Sequence, residues 1–134
     1  LAQLKKIKKL QNIKKNVFLS YKNFFDKIHS KKCYQLKINK SVKISYHLFC
    51  LIFFSLKEAN KFKKFMIKNK IAATFHYVPL HNSSFGRSVS AYRKLQVTEN
   101  IYSKVVRLPL HSNINQKLLN HILKTLNLYF SKKN

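Results

Sequence analysis

Two histidines flank a proline in His76-Tyr77-Val78-Pro79-Leu80-His81, and Arg107-Leu108-Pro109-Leu110 follows downstream. Imidazoles at such a turn could hold a metal or move a proton near neutral pH. A metal site would need a third ligand. The carboxylates are limited to Asp26, Glu58 and Glu99, and Cys33 and Cys50 lack zinc spacing. An acid–base histidine needs a partner that orients it, and no carboxylate lies close in sequence to either one. On residue types alone, His76 reads as a half-buried strand histidine and His81 as a solvated loop histidine. His47 lies in a strand-like pattern and reads as a satisfied core histidine. A single glycine, Gly86, cannot build a phosphate-cradling loop. Paired carboxylates and a Ser–His–Asp arrangement are unsupported.

The elements that must position these residues follow from periodicity. Leu4, Ile7, Leu10, Val17, Tyr21, Phe24 and Ile28 mark one face of a long amphipathic helix. His29–Ser41 is polar and lysine-rich, which predicts a surface connection. Val42–Phe54 alternates at first and then becomes apolar on both sides, as a strand entering a doubly covered position would. Ser55-Leu56-Lys57-Glu58 has the form of a capping box. It opens a helix carrying Leu56, Ala59, Phe62, Phe65 and Met66, with Asn69 as the exit. Ile71–Val78 reads as a short strand stopped by Pro79, and Asn82–Ser90 as a loop. Val97–Val106 reads as a helix with Glu99 in its first turn, where an acid suits the dipole. Asn113 or Asn115 caps a last helix whose face is Leu118, Leu119, Ile122, Leu126 and Phe130. This order predicts an α+β two-layer domain, a small sheet covered by helices.

Composition bounds the class. The chain has 134 residues, is 46% hydrophobic and carries 28 Lys+Arg against 3 Asp+Glu, a formal charge of +25. That is enough apolar content for one packed domain and too much for a disordered tail. The charge admits a small basic module for nucleic acid or an anionic membrane. All but Arg87, Arg93 and Arg107 of the basic residues are lysine, however. Arginine is the usual choice for bidentate phosphate contacts. The abundance of Lys, Asn, Ile and Phe fits an AT-rich coding bias instead. Two cysteines make no disulfide framework, and Cys50 reads as a buried free thiol. No signal-peptide pattern opens the chain, and the longest apolar run is far shorter than the roughly 20 residues of a spanning helix. A cytoplasmic protein without a membrane or nucleic-acid partner is expected. The start at Leu1, already within a helical pattern, suggests a piece of something longer.

Five stretches together carry a resemblance. Leu1-Ala2-Gln3-Leu4 with the helix to Tyr21, Tyr46-His47-Leu48-Phe49, Phe75–His81, Val97-Thr98-Glu99 and Arg107–Leu110 match in order and spacing. They resemble the C-terminal part of the DegT/StrS-type sugar-nucleotide aminotransferases, which use pyridoxal phosphate. The branch most similar makes dTDP-4-amino-4,6-dideoxygalactose. The resemblance implies the small domain of a fold-type I aminotransferase, with residues 1–134 as that domain. It implies transfer of an amino group from glutamate to a dTDP-4-keto-6-deoxy sugar for surface polysaccharide, of the enterobacterial common antigen or lipopolysaccharide kind. It also implies a homodimer when intact and a nucleotide-sugar face containing His76, Tyr77, His81 and Arg107. Tyr102 stands where the family usually has a small residue. The glycines usual around Asn82–Tyr92 are mostly missing, and Lys14-Lys15 replaces a basic pair containing Arg. The family's Schiff-base lysine, the acid that meets the pyridine nitrogen and the phosphate cradle belong to a large domain that this chain lacks. No catalytic residue and no bound pyridoxal phosphate are therefore expected of this chain alone. A large domain, of the same enzyme or a partner chain, would supply them.

Overall fold

The computed structural model describes residues 2–39, 41–89 and 93–131. Helix α1, Ala2–Ile28, ends at His29, whose φ of 45° turns the chain out of helical geometry. Strand β1, Cys33–Gln35, lies inside the stretch expected to be a plain connection. Strand β2, Phe49–Phe53, occupies only the second half of the expected Val42–Phe54 strand. Tyr46, at φ 51°, breaks the extended run just before it, and its ring stays anchored edge-on against Phe18, 5.4 Å between centroids.

Helix α2, Leu56–Lys68, begins as the capping pattern requires, with the Glu58 amide donating to Ser55 Oγ at 3.2 Å. The carboxylate of Glu58 lies with Tyr129 and Lys61. The helix exits at Asn69, as expected, but the left-handed conformation falls one residue later, at Lys70 with φ 61°. The expected strand Ile71–Val78 contracts to β3, Thr74–Phe75. The expected loop Asn82–Ser90 contains a 3-10 turn, Leu80–Asn82, which begins just before it, and a short helix α3, Ser84–Val89.

The largest correction concerns Val97–Val106. Helix α4 covers Gln96–Tyr102 and stops. The chain then enters strand β4, Val105–Leu108, which pairs with two neighbours at once. Two adjacent β-branched valines suit such a strand. Helix α5, Gln116–Phe130, is capped by Asn115, whose side chain accepts from the Leu118 amide at 2.9 Å.

The four strands form one antiparallel sheet in the order β1-β2-β4-β3. Alternation gives it two faces. Phe49, Leu51 and Phe53 of β2 and Val106 and Leu108 of β4 enter the main core with α1, α2 and α5. Phe49 is ringed by Phe18, Tyr21 and Phe25, all within 5.9 Å between centroids, and Phe53 meets Phe62 at 5.1 Å. The expected apolar face of α5 is buried at Leu119, Ile122 and Leu126, joined by Thr125 and Tyr129. The Tyr21 hydroxyl donates to the Pro109 carbonyl at 2.9 Å, tying α1 to the exit of β4. The α+β architecture with a small helix-covered sheet is therefore as the sequence predicts. Every described lysine side chain is at least partly exposed. No helix among the described residues is long and apolar enough to cross a membrane.

Candidate functional site

The second face of the sheet carries the candidate residues. Arg107 projects opposite Val106 and Leu108, so it points away from the main core. Cross-strand register places it between Cys50 of β2 and Thr74 of β3. Just past β3 the chain brings Tyr77 against it, with the guanidinium carbon 4.8 Å from the ring centroid. A planar cation over an aromatic face is attractive, and more so where water is partly excluded. The His76 ring lies 5.3 Å from the Tyr77 ring. Two buried polar atoms in this set, His76 Nδ1 and Arg107 Nε, have no hydrogen-bond partner among the described residues. Buried polar atoms are normally satisfied, and both of these orphans belong to residues packed on Tyr77. The Cys50 thiol beside them is pushed up by burial and pulled back by the Arg107 charge.

His81 lies beyond Pro79 in a second set. Its Nε2 is 3.2 Å from Glu99 Oε1, and the two side chains are 13% and 23% exposed. It is thus not a solvated histidine. The orienting carboxylate missing from the local sequence comes from α4, 18 residues downstream. The same Glu99 oxygen accepts the Leu95 amide at 3.3 Å. His76 is half-buried, as expected, whereas His47 is exposed, with Nδ1 2.8 Å from Ser45 Oγ, and is not a core histidine. Cys33, not Cys50, is the fully buried thiol; burial pushes it up to about 12.

The structure therefore assembles His76, Tyr77 and Arg107 directly and holds His81 through Glu99. Sequence reasoning missed Glu99, Cys50 and Thr74 as members of this region. Cys50 was findable in principle, since it occupies the alternate face of an apolar strand. The chain segment that carries the cluster also exposes apolar side chains at Phe75, Val78, Leu80 and Phe85.

Comparison with known proteins gives the family. The family model described as "DegT/DnrJ/EryC1/StrS aminotransferase family" matches residues 1–127. The chain belongs to this family of sugar aminotransferases. A relative from Campylobacter jejuni, UDP-4-amino-4,6-dideoxy-N-acetyl-beta-L-altrosamine transaminase, is 30% identical over 92% of this chain and 33% of its own. PseC of Helicobacter pylori, an aminotransferase involved in the biosynthesis of pseudoaminic acid, is similar in structure. It has a TM-score of 0.77 at 23% identity, over 98% of this chain and 35% of that one. A putative sugar aminotransferase of Streptococcus pneumoniae in its PLP form gives a TM-score of 0.79 at 21% identity, over 98% of this chain and 34% of that one. The chain thus spans about a third of the length of these relatives.

The family depends on pyridoxal phosphate, and the residues present here can be tested against that cofactor. It needs a lysine held in a desolvated pocket and a carboxylate for its pyridine nitrogen. No described lysine is buried. Asp26 hydrogen-bonds Lys22 and Gln35, Glu58 lies with Tyr129 and Lys61, and Glu99 holds His81. The Lys22 hydrogen bond, foremost, keeps the Asp26 carboxyl below its ordinary range. This arrangement does not fit the cofactor's anchoring groups.

Proposed function

We propose that this chain is the C-terminal small domain of a sugar-nucleotide aminotransferase and supplies part of the wall that faces the nucleotide sugar. One observation carries the reading: His76, Tyr77 and Arg107 meet on the sheet face away from the core, with His76 Nδ1 and Arg107 Nε buried and unpartnered among the described residues. Sugar hydroxyls and phosphate oxygens are the groups such donors and acceptors recognise. Family membership makes a nucleotide-linked 4-keto-6-deoxy sugar the natural ligand class, aminated at the expense of glutamate for surface polysaccharide. The sequence pattern favours a dTDP sugar, while the Campylobacter relative carries a UDP sugar in its name.

In this reading the cofactor is held by a large domain, in the same protein or a partner chain, and the chain alone is inactive. The exposed Phe75, Leu80 and Phe85 support it, because apolar side chains that one domain leaves in solvent are available to pack against another. A homodimer in the cytoplasm completes the proposal.

The test is a titration of the isotopically labelled chain with dTDP-glucose and, separately, UDP-N-acetylglucosamine, followed by NMR. Shifts concentrated at His76, Tyr77 and Arg107 are expected, with the stronger of the two ligands naming the nucleotide. Shifts confined to the lysines of α1 would overturn the reading in favour of non-specific anion binding.

A further inference from the structure

Glu99 is one of three side-chain carboxylates in a chain of net charge +25. In so basic a protein an acid finds cationic neighbours easily. Asp26 does so one turn along its own helix, at Lys22. Glu99 instead spans two elements. One oxygen receives His81 Nε2 from the 3-10 turn and the Leu95 amide from the start of its own helix. Both side chains are mostly shielded from water, where such a contact is worth more than at the surface.

The turn that His81 belongs to is fixed at further points. The Ser83 hydroxyl donates to the Leu80 carbonyl at 2.8 Å and accepts from the Gly86 amide at 2.9 Å. Arg87 Nη2 donates to Asn82 Oδ1 at 3.0 Å. These bonds all lie within residues 80–87. The His81–Glu99 contact joins that stretch to α4 and so to the chain leading into β4 and Arg107. With His81 held by Glu99, the turn cannot move relative to α4 without breaking a part-buried contact.

We propose that Glu99 is a positioning residue of the substrate face: through His81 it fixes the turn after Pro79, and with it the placement of His76 and Tyr77 against Arg107. This rests on the reading of that face as the nucleotide-sugar wall. It adds a residue that acts on the face through His81.

The experiment is a double-mutant cycle on the whole chain with Glu99→Gln, His81→Asn and the pair, read in two ways. The first readout is amide exchange. Each single variant should speed exchange of residues 80–83 about tenfold, the size expected for one charge-assisted hydrogen bond. The double variant should add little, since the two residues act as one unit. Exchange in β2 and β4 should not change. The second readout is the nucleotide-sugar titration: Glu99→Gln should weaken the response at His76 and Tyr77 several-fold, while Glu99→Asp restores part of it. Additive exchange effects, or unchanged exchange in Glu99→Gln, would overturn the role of Glu99 even if the parent chain binds nucleotide sugar normally. Coupled exchange with no ligand response at His76 or Tyr77 in the parent would overturn the substrate face itself and, with it, the functional part of the inference.

Discussion

Gly86 offers a prediction whose magnitude can be worked from geometry. It sits in α3 against the preceding turn. A Cβ added there would stand 1.9 Å from the Leu80 carbonyl oxygen, 2.9 Å from its carbon and 3.1 Å from Ser83 Oγ. Its φ is not positive, so the constraint is space and not backbone conformation. Carbon–oxygen contacts close to about 3.3 Å, so Gly86→Ala must push backbone apart by roughly 1.4 Å. Forced overpacking costs about 1–3 kcal/mol, and a carbonyl that accepts from both the Ser83 amide and the Ser83 hydroxyl has little freedom to give. Alanine regains about 1 kcal/mol of helix propensity, which does not cover the clash. The chain has a cheaper escape: α3 contains no buried residue, so it can detach while the core stays folded. Global stability should therefore fall by less than about 1 kcal/mol, while the local turn loses about 2 kcal/mol. Amide exchange at Ser83 and Arg87, both bonded within this turn, should speed up about 30-fold, at about 1.4 kcal/mol per factor of ten. Denaturant titration and exchange NMR read the two numbers separately. An alanine variant with unchanged protection at Arg87 would refute the close approach. A loss of several kcal/mol in the global transition would refute the claim that the turn yields independently.

Three further outcomes are expected. Leu51→Asp should abolish cooperative unfolding by circular dichroism, because Leu51 is fully buried in the core and an unpaired buried charge costs several kcal/mol, comparable to the whole stability; Leu48→Asp, at a half-buried position outside the strand, should retain it. Stability should fall as pH rises from about 9 towards 12: the unfolded Cys33 thiol ionises first, near its ordinary value of 9.0, while burial holds the folded thiol protonated up to about 12. The stabilisation is thus complete below the unfolded value and lost through this window, up to about 4 kcal/mol at 1.36 kcal/mol per unit, and Cys33→Ala should flatten the slope of melting temperature against pH. Incubation with pyridoxal phosphate, borohydride reduction and peptide mapping should label many exposed lysines weakly; one lysine labelled in full would reveal a cofactor pocket and overturn the assignment of that role to another domain.

How far the sequence could be read depended on the range of the force that decides each element. The helices α1, α2 and α5 were legible because an apolar stripe specifies each, and a cap starts the latter two: Ser55 and Asn115 make the hydrogen bonds their types imply. The strands were harder. Val105 and Val106 continue an apolar spacing begun at Val97, so they look helical locally. Only the two partners found by folding, with Val105 opposite Ile52 and Val106 between Leu51 and Phe75, make them a strand. The three residues of β1 are too few for any period to show, and their place is set by the Cys33–Phe53 register. Residues 42–48 show the converse failure: good alternation is interrupted because Tyr46 adopts a positive φ while its ring packs on Phe18. The same division runs through the site. His76, Tyr77 and His81 were visible because they share one short motif, and Arg107 because the pattern around it resembles the family's. Glu99 could be read only as the opener of a helix, which it is. Its second contact, to His81, comes from tertiary folding that brings α4 against the turn. A helix-opening acid and a histidine-holding acid have the same local sequence, and only the fold tells them apart.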